Sequence, residues 1–214
     1  MARRTKEDAL ATRDSILDAA AILFVEQGVS RTTLAHIAAA AGVTRGAIYW
    51  HFEDKAAMFN AMMERATTPL ESAMAMLDQA DSDDPLGELH DYAVQVFKLT
   101  VNDPEARRAF EIATLKMELT DEMTGVRERR AHNQAEWIRR AEGRVRLGIR
   151  QGHIKPTVKP RAVALGIWVL IEGLIRNWLI GPEFNLLKLG AEIVGTHLDS
   201  LRPLVRLPRG GGDP

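Results

Sequence analysis

Apolar side chains recur at intervals of three and four residues along most of the chain, which is the period of an amphipathic α-helix. Between residues 7 and 27, one such face consists of Ile16, Leu17, Ala20, Leu23 and Phe24. Gly28 follows, where a left-handed helix cap favours glycine. The alternating pattern of half-buried strands is scarce, and neither Asn-Gly nor Asp-Gly hairpin turns occur. The periodicity therefore predicts an all-α protein of about nine helices.

Glycines, prolines and capping residues divide this pattern into segments. The spans that it predicts are residues 7–27, 34–41, 44–50, 55–78, 86–101, 104–117, 121–151, 160–180 and 185–201. The polar, proline-containing stretch Asp81–Pro85 is the clearest break in the chain. Residues 206–214 are rich in glycine and proline and are predicted to form a disordered tail.

The composition is that of a soluble globular protein, with 46% apolar and 27% charged residues among 214. The chain has no cysteine, which excludes disulfides, cysteine zinc sites and thiol catalysis. Its first residues lack the apolar core of a signal peptide, and the apolar run Ala162–Ile171 is too short to span a membrane. We therefore expect a cytoplasmic protein with no membrane partner.

The charge of the chain indicates only weakly whether it binds nucleic acid. The net charge of −1 does not by itself suggest a nucleic-acid partner. Arg3, Arg4 and Lys6 form a small basic arm before the first helical pattern. Such an arm can contact DNA phosphates, and it can equally be a solvated terminus.

Residues 33–52 combine two short helical patterns with a turn, which is the shape of a helix-turn-helix. Gly42 permits a positive φ in that turn, and Ala38–Ala40 are small enough for the two helices to approach closely. The apolar residues suited to hold the pair against a supporting helix are Leu34, Ile37, Val43, Ile48 and Phe52. The pattern alone leaves two interpretations, because two short packing helices look the same as a pair that reads DNA.

In the DNA-binding interpretation, the second helix enters the major groove. Arg45 would donate to guanine, and Tyr49 and His51 would contact phosphates, as would Lys55 at the start of the next helix. Trp50 is left open between a backbone contact and packing. The residues predicted to face DNA are Thr32, Thr33, Thr44, Arg45, Gly46, Ala47, Tyr49, Trp50, His51 and Lys55. Because they include few cations, a single copy would bind weakly, which favours a dimer.

The same segment closely resembles the tetracycline-repressor (TetR) family of transcriptional regulators. The matching residues are Thr32-Thr33, His36-Ile37-Ala38, Ala41-Gly42-Val43-Thr44, Gly46 to Phe52, and Lys55. The first twenty residues and the segment TRGAIYWHF are similar to the AcrR/TtgR-like branch, whose members repress multidrug efflux pumps. The resemblance implies a DNA-binding domain at residues 1–53 and a ligand-binding and dimerisation domain at residues 54–205.

The resemblance further implies a ligand-responsive repressor that binds a palindromic operator as a homodimer and controls an efflux operon. Ligand would shift the helix near residues 55–78 and so change the separation of the two recognition helices. Regulation of another pathway, or activation of transcription, is the alternative. A purely structural helical dimer and an enzyme are rival classes, but no HExxH, GxSxG or P-loop motif is present, and no cofactor is expected.

Ligand binding and dimerisation are expected from the C-terminal helices. Residues 162–180 and 186–201 are apolar around much of their circumference, which suits a four-helix bundle across a two-fold axis. The candidate pocket residues are Tyr92, Val96, Phe110, Thr114, Trp137, Trp168, Ile171, Glu172 and Ile175. Glu172 interrupts an apolar helix, so it would either receive a cationic ligand or pair with Arg176. A small hydrophobic or cationic drug-like ligand is therefore expected.

Overall fold

The computed structural model describes residues 6–79, 81–118 and 120–203. Within these ranges the chain forms nine helices and no β-strand, which confirms the all-α prediction. Arg3 and Arg4 of the predicted basic arm, and the predicted tail at residues 206–214, lie outside the described residues.

The first four helices form the N-terminal part. Helix α1 spans Lys6–Gln27, α2 spans Leu34–Ala40, and α3 spans Arg45–His51. Helix α4 begins at Lys55 and has three consecutive segments: α-helical Lys55–Thr67, a 3-10 turn Thr68–Leu70, and α-helical Glu71–Met76.

Five further helices follow. Helix α5 spans Pro85–Asn102, and α6 spans Pro104–Glu111 and continues as a π-helical turn, Ile112–Lys116. Helix α7 spans Thr124–Arg150 and follows a 3-10 turn, Asp121–Met123. Helix α8 spans Pro160–Ile180, and α9 begins with a π-helical turn, Leu186–Gly190, and continues as Ala191–Asp199. Proline opens α5, α6 and α8, where its missing N–H removes no helical hydrogen bond. The carboxylates of Asp84 and Asp103 cap α5 and α6.

Buried apolar side chains form two clusters. The first joins α1 to α4 with α6 and the start of α7, and its largest members include Phe24, Ile37, Ile48, Phe59 and Met62. The second fills the space between the end of α4 and helices α5, α7, α8 and α9, and its largest members include Phe97, Trp137, Leu89 and Ile167. Helix α4 contributes to both clusters, with Ala66 in the first and Leu70 in the second. The functional division at residues 53 and 54 stays a prediction.

Helix α8 leaves an apolar face uncovered. Leu165, Val169 and Ile180 are exposed at helical spacing along it. By length and composition alone, α8 could cross a membrane, and only 28% of its most apolar window is buried inside the protomer. Glu172 and Arg176 interrupt the apolar sequence in the second half of this continuous helix.

Candidate functional site

The two helices of the helix-turn-helix are each started by a threonine. Thr33 Oγ1 accepts a hydrogen bond from the backbone N–H of His36 at 3.2 Å, and Thr44 Oγ1 accepts one from Ala47 at 3.2 Å. Such caps satisfy amide groups that have no partner inside the helix. Gly42 in the connecting turn has a φ of +66°, a conformation that glycine adopts without strain. The local sequence therefore fixes where α2 ends and α3 begins.

Burial of one side of α3 determines which side faces outward. Ile48 is fully buried in the first cluster with Ile37 of α2, and Phe52, the residue after α3, is also buried there. Arg13 of α1 lies over the Phe52 ring, 5.1 Å from its centroid. The opposite side of α3 is thereby held toward solvent.

The outward side of α3 carries most of the residues predicted to face DNA. Thr44, Arg45 and Gly46 are exposed, Ala47 is half-buried, and Tyr49 and Trp50 are 50% and 73% exposed. The two rings are therefore not part of the protein core. A DNA backbone contact for Trp50 stays a prediction.

Arg45 and Tyr49 form a unit on this surface. Arg45 Nη2 donates to the Tyr49 hydroxyl at 3.3 Å, and the guanidinium lies 5.7 Å from the ring centroid. One turn of helix separates the two residues, which places them on the same face. His51 is half-buried and meets Trp50 edge to face at 4.5 Å between ring centroids. The guanidinium is thus held in place while it remains exposed.

Two of the residues predicted to face DNA have side chains that are buried in this structure. Thr32 is fully buried, and its hydroxyl donates to the carbonyl oxygen of Gly28 at 2.8 Å. Lys55 is 4% exposed; its Nζ donates to the Thr32 carbonyl oxygen at 3.1 Å and lies 3.0 Å from Glu122 Oε2. Both polar groups form hydrogen bonds within the protein, because the start of α4 packs against the residue segment that precedes α2.

The helix-turn-helix is tied to the C-terminal part at several points. Lys55 and Glu122 join α4 to the turn before α7, and the Val29 N–H donates to the Lys116 carbonyl oxygen at 3.1 Å at the end of α6. Arg65 of α4 also joins the two parts, through carboxylates of Asp14 and Asp18 on α1 and of Glu105 on α6. Partial burial opposes the shift, but the carboxylates of Asp18 and Glu105 raise the Arg65 pKa. A movement of α6 or α7 therefore changes contacts of the helix-turn-helix.

Most of the candidate ligand residues meet in the second cluster. Tyr92 and Val96 of α5, Trp137 of α7, and Ile171 and Ile175 of α8 are buried there, with Trp168 and Phe110 half-buried against them. Phe110 also packs against the first cluster. Thr114 lies one turn beyond Phe110 in the π-helical turn of α6 and is half-buried. The fold therefore brings residues from four helices toward one region.

Three aromatic rings form a row in this region, which we call the aromatic row: Tyr92, Trp137 and Trp168. The ring centroids of Tyr92 and Trp137 are 5.6 Å apart, and those of Trp137 and Trp168 are 5.5 Å apart. Burial raises the pKa of Tyr92 to about 12, while the nearby Arg140 and Trp137 oppose this shift. The Tyr92 phenol is therefore neutral at physiological pH.

Glu172 has a different partner from the one predicted. Its Oε1 accepts a hydrogen bond from Arg130 Nη2 of α7 at 2.8 Å, so the predicted pairing with Arg176 is wrong. The Glu172 carboxylate is also partly exposed rather than buried, because α8 is not covered on this side. Arg130 and Glu122 are the two residues of this site that sequence reasoning missed. Their partners lie far away in the chain, and no local pattern indicates them.

Comparisons with known proteins agree with this architecture. The model of the tetR family of bacterial regulatory proteins matches residues 16–62, and the model of the C-terminal region of MAATS-type transcriptional repressors matches residues 84–203. The chain is 37% identical over 203 residues to the HTH-type transcriptional regulator TtgR of Pseudomonas putida, covering 94% of this chain and 97% of TtgR.

Two solved structures are similar over nearly the whole chain. NalD, the secondary repressor of the MexAB-OprM multidrug efflux pump in Pseudomonas aeruginosa, is 34% identical with a TM-score of 0.84, covering 92% of this chain and 98% of NalD. SmeT of Stenotrophomonas maltophilia in complex with triclosan is 28% identical with a TM-score of 0.80, covering 95% of this chain and 98% of SmeT.

Proposed function

Because the chain belongs to the TetR family of bacterial regulatory proteins, we propose that it is a ligand-responsive repressor of a multidrug efflux operon. It acts in the cytoplasm and binds a palindromic operator as a homodimer. The observation that carries the proposal is the outward face of α3, where an arginine and two aromatic side chains stand exposed on a helix whose opposite side is buried. Relatives that resemble the chain along nearly its full length are named as repressors of efflux pumps, and this supports the choice of operon.

The DNA contacts that we propose are made by residues on or beside α3. They are Thr33, Thr44, Arg45, Gly46, Ala47, Tyr49, Trp50 and His51. Arg45 reads a guanine in the major groove through the guanidinium nitrogens that Tyr49 leaves free. The small residues Gly46 and Ala47 let the helix approach the bases, and Thr33 contacts a phosphate from the start of α2. Thr32 and Lys55 are not part of this interface, because they are buried.

The apolar face of α8 serves dimerisation. Leu165 and Val169, with Leu189 on α9, are large exposed apolar residues on the two helices that the family resemblance assigns to the dimer. A two-fold axis would bury the same face of both copies. Val169→Asp places a charge in that interface and is expected to yield monomers in size-exclusion chromatography with light scattering. The matched control is Met76→Asp, which alters an exposed apolar residue of α4 outside the bundle.

The contacts of α4 explain how ligand binding would release the protein from its operator. A ligand in the second cluster displaces α6 or α7, and the contacts of Glu105 and Glu122 with Arg65 and Lys55 carry the displacement to α4. The ligand must bind the DNA-incompetent arrangement more tightly than the competent one, and a coupling of about 1–3 kcal/mol lowers operator affinity roughly 5–150-fold.

The test is operator binding by the intact dimer. Fluorescence anisotropy with the DNA upstream of the gene measures affinity for wild type, Arg45→Ala and Tyr49→Phe, and a scrambled duplex is the control for sequence specificity. We expect specific binding by wild type and a loss of at least about tenfold for Arg45→Ala. Absence of specific binding by the wild-type dimer at low salt refutes the proposed function. Unchanged affinity in both variants refutes the assignment of the recognition surface.

A further inference from the structure

A cleft at the end of α4 is lined mostly by arginines of α7, and we call it the arginine cleft. It has a volume of about 200 Å³ and lies between residues 77–79, which follow α4, and the second half of α7. Four guanidinium groups and one carboxylate line it, those of Arg139, Arg140, Arg144 and Arg150 and that of Asp78. The chain as a whole has a net charge of −1, so this excess of positive charge is local.

The arginine cleft opens on the side of α7 that faces away from the second cluster. Trp137, Ala141 and Val145 of α7 are buried in that cluster, whereas Arg139 and Arg150 are exposed. Helix α4 leads from the helix-turn-helix to the cleft, and its helical rise places the cleft about 30 Å from the start of α4. The cleft is therefore separate from the aromatic row and from the DNA-facing side of α3.

Arg144 forms a fixed wall of the cleft. It is buried, its Nε donates to the Leu77 carbonyl oxygen at 3.0 Å, its Nη2 donates to the Gln79 carbonyl oxygen, and its Nη1 lies 3.2 Å from Glu88 Oε2. Arg144 thus occupies carbonyl oxygens that a cation in the cleft would need. Above Gly143 the cleft stays open, because a Cβ at this position would meet no atom within 4 Å.

The carboxylates near the cleft leave positive charge over. Asp78 is shared, with its Oδ1 3.8 Å from Arg139 Nη2 and its Oδ2 3.2 Å from Arg140 Nε, and Glu136 lies near the same two arginines. Arg150 is exposed and has no ion-pair partner in the part of the chain that the structure describes. The guanidinium group matches the oxygens of phosphate and carboxylate in geometry and charge. The arginine cleft is therefore suited to an anion.

We propose that the arginine cleft binds an anion with two or more linked phosphate groups, held by Arg139, Arg140 and Arg150. Arg139 and Arg150 are separated by three turns of α7, about 16 Å along its axis, so an anion with more than one charged group is needed to meet both. The anion competes with Asp78 for Arg139 and Arg140, so its binding releases a contact between the end of α4 and α7. This site goes beyond the proposed function.

The experiment compares three probes on the intact wild-type protein by isothermal titration calorimetry at constant ionic strength. Inorganic pyrophosphate has two linked phosphate groups, ADP carries the same pair on a nucleoside, and orthophosphate has one group. We expect pyrophosphate to bind at least about fivefold more tightly than orthophosphate, because only the linked pair reaches a further arginine. ADP binding as tightly as pyrophosphate would identify a nucleotide as the natural source, and weaker ADP binding would identify a free polyphosphate.

Charge variants identify the groups that hold the anion. Arg139→Gln and Arg150→Gln should each weaken pyrophosphate binding about threefold to fivefold, as the loss of one exposed ionic contact gives. Arg146→Gln is the matched control, because Arg146 is an exposed arginine of the same helix that pairs with Glu142 outside the cleft. It removes the same charge and should leave the affinity within about twofold of wild type.

Two further variants distinguish a binding site from a set of structural ion pairs. Asp78→Asn removes the carboxylate that competes with the anion and should strengthen pyrophosphate binding about threefold to fivefold. Gly143→Leu fills the cleft without changing its charge and should abolish binding. Leucine favours a helix more than glycine does, so this variant is expected to fold, and thermal unfolding checks each variant.

Three results would overturn the inference. One is a wild-type protein that binds pyrophosphate no more tightly than orthophosphate. Another is an equal loss of affinity in Arg146→Gln and Arg150→Gln, which would show general attraction to a basic helix. The third is binding that Asp78→Asn fails to strengthen or that Gly143→Leu preserves. The titrations contain no DNA, so their failure leaves the proposed function standing, and a protein that binds no operator fails separately in the anisotropy assay.

Discussion

Replacing Lys55 with methionine distinguishes two possible roles of this residue: binding a DNA phosphate, or stabilising the fold through contacts within the protein. Methionine keeps an apolar stem of similar length and removes the ammonium group. In the structure the Lys55 side chain is 5% exposed, and its ammonium donates to the Thr32 carbonyl oxygen at 3.1 Å and lies 3.0 Å from Glu122 Oε2. We therefore expect Lys55→Met to leave the salt dependence of operator binding unchanged while it lowers the stability of the fold.

Both effects can be given a magnitude. Each phosphate that a protein neutralises contributes about −0.9 to the slope of log affinity against log salt, so two Lys55 contacts in a dimer would contribute about −1.8. A hydrogen bond from a charged donor contributes about 1.5–3 kcal/mol to stability, whereas an ion pair with a partner as exposed as Glu122 contributes at most about 1 kcal/mol. Lys55→Met should thus lower the free energy of unfolding by about 2 kcal/mol, and Glu122→Gln by less than about 1 kcal/mol.

The assay measures operator affinity by fluorescence anisotropy at several salt concentrations and stability by urea unfolding. Arg45→Met is the matched control, because it removes a cation that is exposed on α3. It should weaken binding at least about tenfold and cost little stability. A slope that becomes shallower by about 2 in Lys55→Met would refute our reasoning, because it would show that the ammonium leaves Thr32 and Glu122 to meet phosphates.

Three further changes test the structure in other places. Arg144 is buried, with its Nη1 3.2 Å from Glu88 Oε2 and its Nε donating to the Leu77 carbonyl oxygen, so Arg144→Met should lower the free energy of unfolding in urea by about 3 kcal/mol or more. Burial raises the pKa of Tyr92 to about 12, so the folded protein holds this proton when the unfolded chain has lost it. The contribution of Tyr92 to stability is therefore complete below pH 10 and is lost between pH 10 and 12, and Tyr92→Phe should remove this part of the pH dependence of urea unfolding. Gly42→Ala forces a side chain into a φ of +66° and should lower stability by about 1 kcal/mol, seen as a lower melting temperature.

The helices and the face of α3 could be predicted because their determinants are local. Thr33 and Thr44 cap helices through amide groups three residues ahead, and Gly42 makes its turn through its own φ. The burial of Ile48 follows from the helical spacing of apolar residues. Such interactions span a few residues, so a pattern in the sequence contains all the participants.

The buried roles of Thr32 and Lys55 could not be predicted, because they depend on distant parts of the chain. Thr32 and Thr33 are adjacent and chemically identical, yet one is fully buried and the other is an exposed cap. Lys55 meets Glu122, which lies 67 residues further along, where the sequence indicated only an available ammonium at a helix start. The chemistry of each side chain was evident from the sequence, whereas the direction in which it points depends on tertiary packing.

Helix α7 contacts both α4 and α8 through residues that are far apart in the sequence. Near its start, the Gly125 carbonyl oxygen accepts a hydrogen bond from Asn60 of α4, and Arg129 lies 3.5 Å from Glu64 of α4. One residue later, Arg130 binds Glu172 of α8, the helix that contributes Trp168 to the aromatic row. The first two turns of α7 therefore contact both α4 and α8. In the proposed mechanism, a ligand that separates α8 from α7 changes the position of α7 against α4 and, through α4, the position of α3.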